Sequence, residues 1–226
     1  MDDRNARVSA VAALAEPTRR RLYDHVAAQP APVSRDEAAA AVAVPRATAA
    51  FHLDRLVDDG LLEVHFERRS GRTGPGAGRP SKLYRRAECT VEVSFPERHY
   101  DLAGDLLAAA MAEAEVSGEP PRAALARLAY ERGRRLGAEA PPGAGRTGAL
   151  DVLEKHGFEP RDEDGGIALA NCPFHVLARE HTELVCGMNL HLLEGVLAGL
   201  GTTGLHACLT PGPSRCCVRL ERSDQA

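Results

Sequence analysis

The chain has 226 residues, 44% of them hydrophobic and only 4% aromatic, with no Trp, so Ala, Leu and Val must fill the interior of one large or two small domains. No apolar run reaches the roughly 20 residues of a membrane span, and Met1-Asp2-Asp3-Arg4 lacks the basic-then-apolar layout of a secretory leader, which predicts a cytoplasmic protein with no membrane partner. The net charge of −4 is unevenly spread: residues 1–87 carry 15 Lys+Arg against 11 Asp+Glu, whereas residues 88–226 carry 13 against 21.

Residues 8–14 read as a short apolar helix. Glu16-Pro17-Thr18 restarts the chain, with Pro17 suited to a first helical position, and Leu22 and Val26 continue an inner face until Pro30 and Pro32. Ser34-Arg35-Asp36-Glu37 has the capping-box pattern, in which the Ser hydroxyl accepts from the Glu37 amide and the carboxylate reaches back. A short Ala-rich helix follows to about Val42, and Pro45 opens another that stops at Gly60. A short helix, a tight connection and a second helix make the helix-turn-helix layout.

On that second helix Ala49, Leu53, Leu56 and Val57 repeat with the spacing of an inward face. Arg46, Thr48, Phe51, His52 and Arg55 remain as the candidate DNA-reading surface. Phe51 lies off the apolar stripe and either packs on a neighbouring helix or meets a thymine methyl or a sugar. His52 reads equally as a surface or capping histidine. Residues 61–66 alternate as a strand and residues 82–86 as its return. Between Arg68 and Arg86 stand seven basic residues and no acid, among them Arg68, Arg69, Arg72, Arg79 and Lys82. Such a stripe on an acidic chain fits a polyanion. Its glycines permit close approach to a phosphate backbone, as in the wing of a winged helix, while its bland reading is a solvated loop.

Three segments carry a resemblance: Ala15-Glu16-Pro17-Thr18-Arg19-Arg20-Arg21-Leu22, then Phe51-His52-Leu53-Asp54-Arg55-Leu56 with Gly60-Leu61-Leu62, then Gly78-Arg79-Pro80-Ser81-Lys82-Leu83-Tyr84. Together they resemble the ArsR-type winged-helix regulators over residues 8–87, and more narrowly their SufR-like branch. The resemblance implies a homodimer that binds double-stranded DNA.

Farther along, residues 97–115 form an Ala-rich helix with Leu102, Leu106, Ala109 and Ala110 on one face. Pro120-Pro121 starts another, with Leu125, Leu128, Ala129 and Leu136 inward. These helices are the candidate dimer interface; ordinary packing within a domain is the alternative. Residues 140–145 are a linker by composition, residues 150–156 a short helix, and residues 167–170 a strand. A long amphipathic helix carries Leu190, Leu193, Val196, Leu197 and Leu200, and residues 203–209 and 215–220 read as two strands.

Six cysteines in a reducing compartment point to metal or redox chemistry more than to disulfides. Cys172 and Cys186 are separated by 13 residues, and Cys186 and Cys216 by 29. Cysteines at the end of a strand, the start of a helix and a return strand can converge, and thiolates ligate iron–sulfur clusters and structural zinc. Zinc is the alternative, although no C-x2-C is present. Adjacent residues on a strand point to opposite faces, so only one of Cys216 and Cys217 is expected to ligate.

Asn171-Cys172-Pro173-Phe174-His175, Val185-Cys186-Gly187-Met188-Asn189 and the late cysteine resemble the C-terminal half of SufR-like repressors. That resemblance implies a [4Fe–4S] cluster on Cys172, Cys186 and Cys216. The fourth ligand stays open among Cys208, His175, His181 and His206. Cys89 reads as a small buried residue, and His156 and His191 as structural.

The expected fold class is α+β: a winged helix-turn-helix domain over residues 1–90, central dimerisation helices over 91–140, and a small α/β sensor domain over 141–226. The expected function is a transcriptional repressor whose operator affinity a cluster controls. The alternative is a regulator whose metal-free C-terminal domain senses an organic ligand or thiol redox state. No G-x-S-x-G, phosphate loop or paired acid–base motif suggests an enzyme.

Overall fold

The computed structural model describes residues 4–67, 80–163, 165–201, 203–210, 212 and 215–223. The chain forms two compact units, Met1–Val93 and Ser94–Ala226.

In the first unit, α1 (Arg4–Ala13) precedes α2 (Pro17–Ala27). Pro17 takes the first helical turn, and the Glu16 carboxylate caps it by accepting from the amides of Thr18 and Arg19 at 3.0 and 2.5 Å. A two-residue strand, β1 (Val33–Ser34), leads into α3 (Arg35–Val42). Both arms of the capping box form: Ser34 Oγ accepts from the Glu37 amide at 3.2 Å, and the Glu37 carboxylate accepts from the Ser34 amide at 2.8 Å. Ala43 ends α3 in the left-handed region with φ 55°, which turns the chain sharply into α4 (Arg46–Asp58).

β2 (Leu62–Glu67) and β3 (Ser81–Arg86) pair antiparallel from Leu62 against Arg86 to Glu67 against Ser81. The third strand, β1, sits on the other side of β3. It is too short to show an alternating pattern, and so was not foreseen. Leu22, Val26, Ala38, Val42, Ala49, Leu53, Leu56, Leu62 and Tyr84 make the core.

The second unit comprises α5 (Tyr100–Ser117), α6 (Pro121–Ala138), α7 (Gly145–Lys155), β4 (Pro160–Glu163), β5 (Gly166–Leu169), α8 (His175–Glu180), α9 (Thr182–Leu200), β6 (Leu205–Leu209) and β7 (Val218–Arg222). Its sheet has the order β4-β5-β7-β6, antiparallel throughout. Two expectations are corrected here. Residues 91–140 do not stand as a separate region, because Ala103, Leu106, Ala124, Leu125 and Ala129 share one core with Leu153, Ile167, Met188, Leu192 and Leu220. Ala109 does not join that core: on α5 the buried positions are Ala103, Leu106 and Ala110.

The closest approach in this unit is α6 against α9. A Cβ added at Gly133 would lie 1.9 Å from the Leu192 carbonyl oxygen, and one at Gly195 would lie 2.1 Å from that of Tyr130. Gly137 and Gly199 repeat the relation one turn on, at 2.2 Å from the Val196 and Arg134 oxygens. By length and apolar composition alone α9 is able to cross a membrane. Its apolar side chains Val185, Met188, Leu192, Leu193, Val196 and Leu197 are instead buried in the protein.

Candidate nucleic-acid interface and cysteine site

The outer face of α4 presents Arg46 and Phe51 to solvent, Phe51 with 66% of its surface exposed. Arg46 pairs with Asp36 at 2.6 Å, Arg55 pairs with Asp59 at 3.1 Å, and Thr48 is half-buried. His52 departs from the rest of the predicted reading surface. Its side chain is only 12% exposed, and Nδ1 lies 3.5 Å from the Glu16 carboxylate that caps α2. Its ring meets Phe51 edge-on at 5.2 Å. From this place His52 braces Phe51 and joins α4 to α2.

Lys82 is tied down as well. Its Nζ donates to Asp54 Oδ1 at 2.5 Å and lies 5.2 Å over the Tyr84 ring, while Tyr84 Oη donates to the same carboxylate oxygen at 2.8 Å. Burial alone would raise the Asp54 carboxyl, but the hydrogen bonds from Lys82 and Tyr84 and the Lys82 charge hold it below its usual range. The same burial and the Asp54 carboxylate push the Tyr84 hydroxyl well above its ordinary value. Asp54 thereby fastens α4 to β3. Arg68, Arg69, Arg72 and Arg79 lie outside the described residues.

Between the starts of α3 and α4 and the strand β3 opens a cleft of about 630 Å3, lined by Arg35, Arg46, Phe66, Pro80, Ser81 and Lys82 among others. Asp36 lines it too and pairs with Arg46, while Lys82 is held by Asp54. Arg35 was missed in the sequence. Its only signal was its position directly after the capping Ser34, at the start of α3.

In the second unit, Asn171 anchors the segment that carries Cys172. Its Nδ2 donates to the carbonyls of Gly157 at 2.5 Å and Glu97 at 3.0 Å, and its Oδ1 accepts from Arg98. The Arg98 guanidinium also donates to the Cys172 carbonyl at 3.2 Å. Cys172 and Cys216 are buried in the same core, and the Cys216 amide donates to Leu169 O at 3.0 Å. Cys186 sits in the early part of α9. One turn later, Asn189 Nδ2 donates to Cys216 Sγ at 3.2 Å. Asn189 is 2% exposed, and its Oδ1 has no hydrogen-bond partner.

Electrostatically the thiols act on one another: Cys172 and Cys216 shift each other, and Cys217 and Cys172 both act on Cys186. The hydrogen bond from Cys216, helped by the Arg98 charge, lowers the Cys172 thiol despite burial. Cys216 is driven upward by Cys172 beside it and by burial. Burial and Cys217 push the Cys186 thiol up to about 12.

Here the sequence reading of Cys217 is corrected. Cys216 and Cys217 precede β7 and do not lie on it. Strand alternation does not apply there. Cys208 lies elsewhere on β6, near Thr210 Oγ1 at 3.6 Å and the Arg219 carbonyl at 3.5 Å, and burial raises its thiol. His175, His181 and His206 are exposed. Among the described residues, no three His, Cys, Asp or Glu side chains are gathered closely enough to hold a metal ion. Cys89 is partly buried and donates to the Gly60 carbonyl at 3.3 Å.

No curated protein and no solved structure matches the chain. A family model described as a helix-turn-helix domain matches residues 14–65, which spans α2, α3, α4 and the start of β2. Residues 14–65 thus form a helix-turn-helix domain, the kind of domain with which transcription regulators bind DNA.

Proposed function

We propose that the protein is a homodimeric, cytoplasmic transcriptional repressor that binds double-stranded DNA through a winged helix-turn-helix domain. In this reading its operator affinity is controlled by a [4Fe–4S] cluster held on Cys172, Cys186 and Cys216. The observation that carries the proposal is that Cys172 and Cys216 lie in one core and that Asn189, one turn after Cys186 on α9, donates to Cys216 Sγ. The donor set fits the group. The ligands are sulfur, one sulfur accepts an N–H from Asn189, and the Asn189 oxygen is buried without a partner. An iron–sulfur cluster is broader than a single ion, so its thiolates stand farther apart than the four donors of one zinc.

When bound, such a cluster supplies a redox-sensitive and oxygen-sensitive crosslink. The chain's own residues do the rest. Arg98 and Asn171 hold the Cys172 segment, and α9 carries Cys186 on a core helix. Tying these to Cys216 stabilises one arrangement of the second unit over another. DNA affinity then changes by the difference in stability between two dimer states. Phe51 and Arg46 read base edges from α4, and the wing arginines contact phosphates. The exposed Met111 and Val116 of α5 offer apolar surface for a second copy.

The test is anaerobic reconstitution of the full chain, followed by iron and sulfide analysis and binding to an operator selected from randomised DNA. Uptake of iron and sulfide with visible absorbance, and different operator affinity of loaded and stripped protein, are expected. Refusal of both elements by the wild type, or equal affinity in the two states, overturns the proposal. Cys172 and Cys216, buried in one core and acting on each other's thiols, favour one other reading, a thiol switch without metal. It takes over if iron and sulfide are refused while a disulfide oxidant alters DNA affinity.

A further inference from the structure

We propose that Asp36 is a specificity-determining residue of the DNA-binding domain, because it aims the Arg46 guanidinium at a guanine. The inference rests on the DNA-binding reading above and deepens it. Arg46 is the first residue of α4, and the N-terminal part of the second helix of a helix-turn-helix is the part that meets base edges. A free arginine in such a place has many rotamers, and its charge attracts any DNA without choosing a base. Here an ion pair removes that freedom: Arg46 Nε lies 2.6 Å from Asp36 Oδ1.

Both ends of the pair stand on fixed backbone. Asp36 is in the first turn of α3, where Ser34 and Glu37 close the capping box on either side of it. Arg46 follows the left-handed turn at Ala43, within which the Val44 amide donates to the Ala39 carbonyl at 3.1 Å. The pair therefore bridges the two helices of the motif. Both side chains are 63% exposed, an exposure at which an ion pair adds little to stability. Its effect is on direction. The contact engages Nε and leaves Nη1 and Nη2, which have no partner among the described residues. Two such nitrogens, held in the plane of the guanidinium, match the O6 and N7 acceptors on the major-groove edge of guanine. Asp36 and Arg46 both line the cleft between the helix starts and β3, so the pair faces open surface.

The test selects an operator for the full chain from randomised double-stranded DNA. Wild type, Arg46→Ala, Asp36→Ala, Asp36→Asn and the variant carrying both alanines are then titrated with that operator, its single-base variants and random DNA. Arg46→Ala should identify one guanine by losing the preference for it, a preference that a bidentate arginine contact sets at roughly 5- to 150-fold. Asp36→Ala and Asp36→Asn should lose most of the preference at that same guanine and leave the other positions unchanged. Their binding to random DNA should be equal or tighter, since each removes a negative charge from a surface that faces phosphates. A merely structural role for Asp36 would weaken binding to all DNA instead. In the Arg46→Ala background the Asp36 change should have no further effect on base choice. The assignment is overturned, while DNA binding stands, if both Asp36 variants keep the guanine preference, if their loss is spread alike over all positions and random DNA, or if Arg46→Ala costs no guanine preference. If the wild type prefers no sequence over random DNA, the reading of sequence-specific DNA binding and this assignment fall together.

Discussion

Asp54 shows how one side chain can hold a functional surface in place. It lies on the outward side of α4, off the apolar stripe of Ala49, Leu53, Leu56 and Val57. Its partners Lys82 and Tyr84 come from β3, 28 and 30 residues away. No local pattern reports such a pair; only the sheet register brings them together. Asp54→Ala would leave the Tyr84 hydroxyl without its acceptor at a largely buried position, and the expected cost is about 1–3 kcal/mol. The carboxyl is held below its ordinary value of 3.8 in the folded chain, so its contribution is complete above that pH and is lost as pH falls through the folded value. Urea unfolding followed by circular dichroism should therefore separate wild type from Asp54→Ala at pH 7 and bring the two together in acid. His52 makes the complementary case. Its identity and its place beside Phe51 suggested base reading, but the fold turns it toward Glu16.

Helix pairing in the second unit turns on backbone contact. Gly in a helix ordinarily costs about 0.5–1 kcal/mol relative to Ala, because it gives up more chain entropy. Gly133 and Gly195 repay that cost by letting α6 and α9 touch along their backbones. Opposite effects are expected from the same substitution at two sites. Gly104, on α5 with open space around its Cβ position, should gain about 0.5–1 kcal/mol when changed to Ala. Gly133→Ala forces a methyl against the Leu192 carbonyl and should lose about 1–3 kcal/mol or more. Thermal melts of the two variants check this directly. If both are stabilised, α6 and α9 are not in backbone contact. In sequence the apolar stripe of α6 reads as a candidate dimer surface or as ordinary packing within a domain; Leu125 and Ala129 are buried in the core of the second unit. An apolar stripe states that a face is covered, and the covering element is a matter of tertiary packing.

Charge asymmetry between the two units bears on the encounter with DNA. The basic stretch from Arg68 to Arg86 has a net positive field that a long acidic partner would feel before any base is read. Replacing Arg72 and Arg79 together by Ala should weaken binding to every DNA sequence and flatten the logarithmic salt dependence by roughly one unit of slope per lost phosphate contact. Titrations at several salt concentrations measure that slope. An unchanged slope in a folded variant would remove these arginines from the phosphate contacts.

Helix starts, stops and faces of the first unit were legible because they depend on neighbours within a few residues. Pro17 and the Ser34–Glu37 box open helices by local geometry, and Leu53 and Leu56 mark a buried face by period alone. What tertiary structure alone decided depends on groups distant in the chain: the Asp54 tie, the α6–α9 contact, and the place of Cys216 and Cys217 ahead of β7. The last differs from the sequence expectation because β7 begins at Val218. Outside the ladder their backbone is held by two other strand ends: the Cys216 amide donates to the Leu169 carbonyl, and the Cys217 carbonyl accepts from the Thr210 amide.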